Sequence, residues 1–154
     1  MIRRTTFTLA AMTAIALSTA SYASEVAPDA VAFTDDGVTM SLTGVAGDAA
    51  AGAKVFTDKS QGNCLACHVN AAMPKEQFPG NVGPALDGVA SRWDEPQLRA
   101  IIVDSKKALS DETVMPGFYS LNVGAHVAEE YVGKTILTAQ QVEDVVAYLV
   151  TLKE

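Results

Sequence analysis

Only two cysteines occur in the chain, three positions apart, and only two histidines accompany them. That scarcity excludes a multi-bridge disulfide scaffold and leaves barely enough donors for a four-ligand structural zinc site. Basic residues are also few, 11 against 18 acidic ones. Such a balance disfavours nucleic acid and anionic membrane surfaces as partners, and its simplest consequence is solubility. No stretch reaches 18 uncharged apolar residues, so no transmembrane helix is expected. Internal repeats are absent, as is the sustained apolar–polar alternation that marks strands. No nucleophile–base pair or carboxylate dyad stands out either.

What is present begins with a processing signal. Arg3 and Arg4 form a short positive region, Leu9 to Leu17 is almost wholly apolar, and Ser21-Tyr22-Ala23 offers small residues where a signal peptidase reads. Residues 1–23 are therefore expected to be a signal peptide, with Ser24 opening a mature periplasmic chain. Taking the two arginines of that segment from the 11 basic residues leaves nine against 18 acids, a net charge of −9.

Residues 24–46 read as an N-terminal arm or short hairpin with Asp36-Gly37 as its turn. The domain proper is expected over residues 47–154. Asp48 can cap a helix through AAAGAKVF, on which Ala49, Gly52, Ala53 and Phe56 share one face. Residues 70–90, rich in Pro and Gly, predict an irregular loop. Asp94 and Pro96 open a second helix with Leu98, Ile101 and Ile102 on its buried face. Residues 104–124 again read as loop. Thr138 and Gln141 make a capping-box pair before a helix carrying Val142, Val145, Val146, Leu149 and Leu152 at helical spacing. The expectation is an all-α fold of three to four helices. Its two loops of about 20 residues leave too little regular structure to close an ordinary core, so they need a large apolar ligand to wrap.

Cys64-Leu65-Ala66-Cys67-His68 names that ligand. Two cysteines three apart can form thioethers to the vinyl groups of a haem edge, and the next histidine is carried to the iron. Zinc would need a fourth ligand, with only His126 left as a nitrogen or sulfur donor of the usual kind. A thioredoxin-type pair would need a strand before it and a parallel sheet around it. A disulfide would leave His68 and the long loops without a role. One covalently attached haem c is the expected cofactor, bound by Cys64 and Cys67 with His68 as an iron ligand.

The order of elements resembles class I cytochrome c, because 86 residues and a strong terminal helix follow His68. Gly52-x-x-x-Phe56 matches the N-terminal helix of that family, where glycine lets the C-terminal helix cross closely. Gly83-Pro84-Ala85-Leu86 matches its G-P-x-L loop, which implies that the Pro84 carbonyl accepts a hydrogen bond from the proximal histidine. Met115-Pro116 lies in the loop before the last helix. For the sixth iron position the candidates are Met40, Met73, Met115 and His126. Met73 is only five residues past His68, and Met40 lies in the arm. Met115 is favoured over His126 because a soft thioether suits a carrier, Pro116 stiffens the loop and Gly117 lets it approach closely. His126 is then a surface or second-layer histidine, and Met40 and Met73 are packing residues. Trp93, Phe118 and Tyr119 are expected to pack the pocket, Arg92 and Arg99 are candidates for the propionates, and Lys106 and Lys107 for a helix C-terminus.

The stretches SRWDEPQLRAIIVDSKKAL, ETVMPGFYSLN and EYVGKTILTAQQVEDVVAYLVTLKE resemble the SoxX subunits of SoxAX cytochromes, which act in thiosulfate oxidation. The resemblance covers about residues 62–154. It implies a heterodimer with a SoxA-type cytochrome and a SoxYZ-type carrier protein, to a cysteine of which thiosulfate is oxidatively joined. It also implies that Cys64 and Cys67 hold the haem, that His68 and Met115 ligate iron, and that electrons leave to a soluble acceptor such as a small cytochrome c. The complex would be an L-cysteine S-thiosulfotransferase in which this chain transfers electrons without a reactive cysteine. The alternative is a free-standing class I carrier for another periplasmic redox enzyme.

Overall fold

The computed structural model describes residues 24–74, 76 and 78–154, so the expected signal peptide lies outside the described residues. Five helices follow in order: α1 Ala49–Thr57, α2 Val89–Arg92, α3 Glu95–Val103, α4 Ser105–Ala108 and α5 Ala139–Leu149. Among the described residues there is no strand, only a bridge between Thr34 and Gly37. None of the described helices is long and apolar enough to cross a membrane.

The three longer helices start where their caps require. Asp48 accepts from the backbone N–H groups of Ala50 and Ala51, while Asp94 with Gln97 and Thr138 with Gln141 form complete capping boxes. Of the two four-residue helices, α4 lies in a segment expected to be loop and α2 straddles the end of one. Gly88, with φ of +64°, precedes α2, and Asp104 caps α4 through the N–H groups of Lys106 and Lys107. A single turn is too short to leave a periodic pattern in the sequence.

Helices α1 and α5 cross at van der Waals contact of their backbones. A Cβ added to Gly52 would stand 1.9 Å from the Asp144 carbonyl oxygen, and one added to Gly47 would stand 2.1 Å from that of Glu143. Phe56 and Tyr148 meet edge to face across the crossing, with ring centroids 5.4 Å apart. Val142, Val145 and Val146 of α5 are all buried there.

The arm is part of this core. Val38 and Leu42 are buried, and the expected hairpin reduces to one bridge whose turn residues are Asp35 and Asp36. Gly37 closes it at a φ of +99°, and its N–H bonds back to Thr34. Met40, expected to pack, is 58% exposed. A buried ion pair fixes the arm to the helices. Arg99 on α3 donates through Nε and Nη2 to the Glu143 carboxylate of α5 at 3.1–3.2 Å, and through Nη1 to the Val38 carbonyl at 3.0 Å. Glu143 also accepts from the Leu42 N–H at 2.7 Å. Burial opposes the Arg99 charge, but Glu143 and Glu95 outweigh it and raise its pKa. The inner face of α3 therefore carries a charge that apolar periodicity does not show, and Ile101, expected to be buried, is only half-buried.

Candidate functional site

Helices α1, α3 and α5 and three loops surround a cavity of about 600 Å³. That is room for a whole cofactor rather than a water or a side chain. Phe56, Leu98, Ile102, Val145 and Leu149 give it an apolar wall, and Cys64, Cys67, His68, Gly83, Pro84 and Met115 all line it.

The cysteine segment enters the cavity on a tight turn. Asn63 adopts a left-handed conformation, φ +47°, and Cys64–Ala66 form one 3-10 turn. The His68 N–H then donates to the Cys64 carbonyl at 2.9 Å. Gly62 ties this turn to α1 through the Val55 carbonyl at 3.2 Å. The loop that follows folds back over the motif: Gly80 N–H donates to Leu65, Gly83 N–H to Cys67 and Leu86 N–H to Val69.

His68 is oriented from behind. Its Nδ1 lies 2.7 Å from the Pro84 carbonyl, and a carbonyl only accepts, so Nδ1 carries the proton and Nε2 keeps its lone pair for a metal. Gly83 makes room for that approach, since a Cβ there would lie 2.3 Å from His68 Cε1. The cysteines form no disulfide. Burial pushes the Cys64 thiol up to about 12, so as a free group it is a poor nucleophile. Among the described residues no three His, Cys, Asp or Glu side chains converge as a metal site.

Met115 reaches the same cavity from a segment strapped to α3 and α4. The Phe118 and Tyr119 N–H groups donate to the Ile102 and Val103 carbonyls, and Ser105 Oγ donates to the Met115 carbonyl at 2.5 Å. Gly117 packs so tightly that a Cβ would be 2.8 Å from Ser120 Cβ. His126 is exposed and does not line the cavity. Met73 is half-buried against the core.

The remaining residues divide. Trp93 and Phe118 line the cavity, but Tyr119 does not: its hydroxyl faces Glu25 at 2.9 Å and the Val26 carbonyl at 2.8 Å in the arm. Arg99 is committed to Glu143, so it is withdrawn from any propionate, and Arg92 donates to the Ala85 and Asp87 carbonyls. Lys106 and Lys107 fall in the last turn of α4, where basic residues complement a helix C-terminus. Lys106 Nζ donates to the carbonyls of Asp111 and Thr113, and Lys107 stands 5.3 Å over the Phe33 ring. Ser105 is the contributor that sequence reasoning missed, because only burial and a contact across ten residues reveal it.

Residues 49–153 match the cytochrome c family. The chain belongs to the cytochrome c family. The family and the Cys64-x-x-Cys67-His68 spacing imply a covalent haem c, and the apolar cavity, the free Nε2 of His68 and the glycine beside its ring fit one. Solved structures similar to this cytochrome include SoxXA from P. pantotrophus, 42% identical with a TM-score of 0.78, covering 85% of this chain and 100% of that one. The c-type cytochrome SorU from Sinorhizobium meliloti is 23% identical, covers 68% of this chain and 90% of its own, and has a TM-score of 0.44. Cytochrome c2 from Paracoccus denitrificans is also 23% identical, with coverages of 70% and 97% and a TM-score of 0.40. No curated protein sequence matches significantly. This c-type cytochrome is thus similar to SoxX, in an all-helical cytochrome c fold.

Proposed function

We propose that this cytochrome is the electron-transfer subunit of a periplasmic SoxAX-type complex. The complex joins thiosulfate oxidatively to a cysteine of a SoxYZ-type carrier protein, and the electrons pass to a soluble acceptor such as a small cytochrome c. The observation that carries this reading is the 42% identity to a SoxXA chain over all of that chain's length.

Haem c supplies one-electron redox chemistry when bound. Cys64 and Cys67 would hold it as thioethers, His68 and Met115 would supply the two protein ligands to its iron, and Gly83 and Pro84 seat His68. With both residues bound, the protein would leave no iron position for small molecules, and the soft thioether of Met115 would favour the reduced state. The apolar wall excludes water, which keeps the site's surroundings nearly unchanged between oxidation states. The conjugation itself removes two electrons as a thiolate and thiosulfate become a sulfur–sulfur bond. It needs a reactive cysteine that this chain does not supply, so catalysis belongs to the SoxA-type partner.

In this reading residues 1–23 are a signal peptide, 24–46 an arm and 47–154 the haem domain. The cavity-lining residues Val82, Trp93, Leu109, Val114 and Ile136 are also exposed, which supports close docking of a partner at an apolar mouth. Co-expression with a SoxA-type cytochrome, purification on a tag carried by that partner, haem counting and a thiosulfate-dependent reduction assay with a SoxYZ-type carrier test it. Co-purification with one haem on this chain and its reduction by thiosulfate are expected. Elution as a monomer, with a haem that thiosulfate leaves oxidised, would refute the reading and favour the free-standing carrier.

A further inference from the structure

We infer that Ser105 is the residue that positions Met115 for the iron, an inference that rests on reading Met115 as the sixth ligand. Ser105 is fully buried at the first position of α4, directly after the Asp104 cap. A helical serine commonly bonds back to a carbonyl of its own preceding turn. Here the hydroxyl instead crosses ten residues to the Met115 carbonyl at 2.5 Å, with the Pro116 carbonyl at 3.4 Å. The hydroxyl has one proton to donate, and the shorter contact takes it.

The neighbouring bonds show what this one adds. Lys106 Nζ holds the Thr113 carbonyl at 2.5 Å, and α3 carbonyls hold the N–H groups of Phe118 and Tyr119. Between these anchors Ser105 is the side chain that grips the backbone of Met115 itself. A methionine side chain has three rotatable bonds and little rotamer preference of its own, so the position of its sulfur depends on where its backbone is fixed. Without the hydroxyl, the Met115 carbonyl loses its partner, and the states in which the loop swings off the iron gain weight.

The test is imidazole binding to the ferric holoprotein, read with the sulfur–iron absorption band near ~695 nm. Imidazole enters only when the methionine leaves, so its apparent affinity reports loop opening. Ser105→Ala is expected to raise that affinity about tenfold, the change that losing a buried hydrogen bond produces. Ser105→Thr, which keeps the donor, should stay near wild type. Thr43→Ala removes another buried hydroxyl, one in the arm bonded to Val45 and to Gln140 of α5, and should leave imidazole affinity unchanged. A wild-type protein without the band removes Met115 as ligand and this inference with it. A band present in wild type, with Ser105→Ala binding imidazole as wild type does, overturns the role of Ser105 alone. Equal rises for Ser105→Ala and Thr43→Ala, or a rise in Ser105→Thr, would assign the effect to general stability or packing and overturn it as well.

Discussion

Replacing Gly52 with alanine puts a methyl carbon 1.9 Å from the Asp144 carbonyl oxygen, 2.4 Å from its carbon and 2.9 Å from the Val145 nitrogen. All three are backbone atoms of α5, so no side chain can swing aside. The helices must part by about 1.5 Å to restore ordinary contact, and a gap of about 0.5–1 Å already forfeits a quarter to a half of the dispersion between facing atoms. The Phe56–Tyr148 contact and the buried Val145 and Val146 lie on that seam. Overpacking of this kind costs about 3 kcal/mol, while alanine in place of a helical glycine returns about 1 kcal/mol. Net destabilisation of about 2 kcal/mol is expected. Guanidinium unfolding of the holoprotein, followed by far-UV circular dichroism, reads it as a lower midpoint at unchanged slope. A Gly52→Ala protein as stable as wild type would refute the close crossing.

Met115→Leu should abolish the ~695 nm band of the ferric protein while His126→Ala leaves it intact. The reverse pattern in visible spectra would move the ligand to His126. Glu143→Ala strips the buried Arg99 of its main partner and Leu42 of its acceptor, so about 3–5 kcal/mol should be lost in denaturant unfolding. Burial first, and then Glu25, push the Tyr119 hydroxyl up to about 12, above its usual 10. The folded state therefore keeps a proton that the unfolded chain gives up. This contribution to stability is complete below pH 10 and disappears as pH rises to about 12. Tyr119→Phe should flatten that part of the stability–pH curve, as measured by thermal unfolding between pH 9 and about 12.

Much of this architecture is written locally. The caps at Asp48, Asp94 and Thr138 announce the three longer helices, and their bonds are the ones that side-chain chemistry demands. Gly52 and Gly83 are legible for a related reason: each stands where a backbone or a ring must come closer than a Cβ allows. Other features depend on residues far apart. Arg99 looks like a surface or cofactor-binding cation until Glu143, 44 positions on, is brought beside it. Tyr119 reads as a pocket aromatic until the arm arrives at its hydroxyl. Ser105 has no motif at all, since its partner is a backbone carbonyl and any residue supplies one. Side chains that serve another segment's backbone leave no pattern of their own.

The crossing of α1 and α5 also joins the two ends of the haem domain. Asp48 N–H bonds to the Asp144 carboxylate across 96 residues, so the chain between them must close as a single loop. Closing it costs about 4 kcal/mol of chain entropy beyond a constant, which only the finished seam returns. Contacts this distant raise the contact order and slow folding. Val145 and Leu149 are walls of the cavity, so α5 closes one side of it as well as pairing with α1. One helix thus serves two seams, and a substitution that loosens the crossing at Gly52 also loosens a wall of the site.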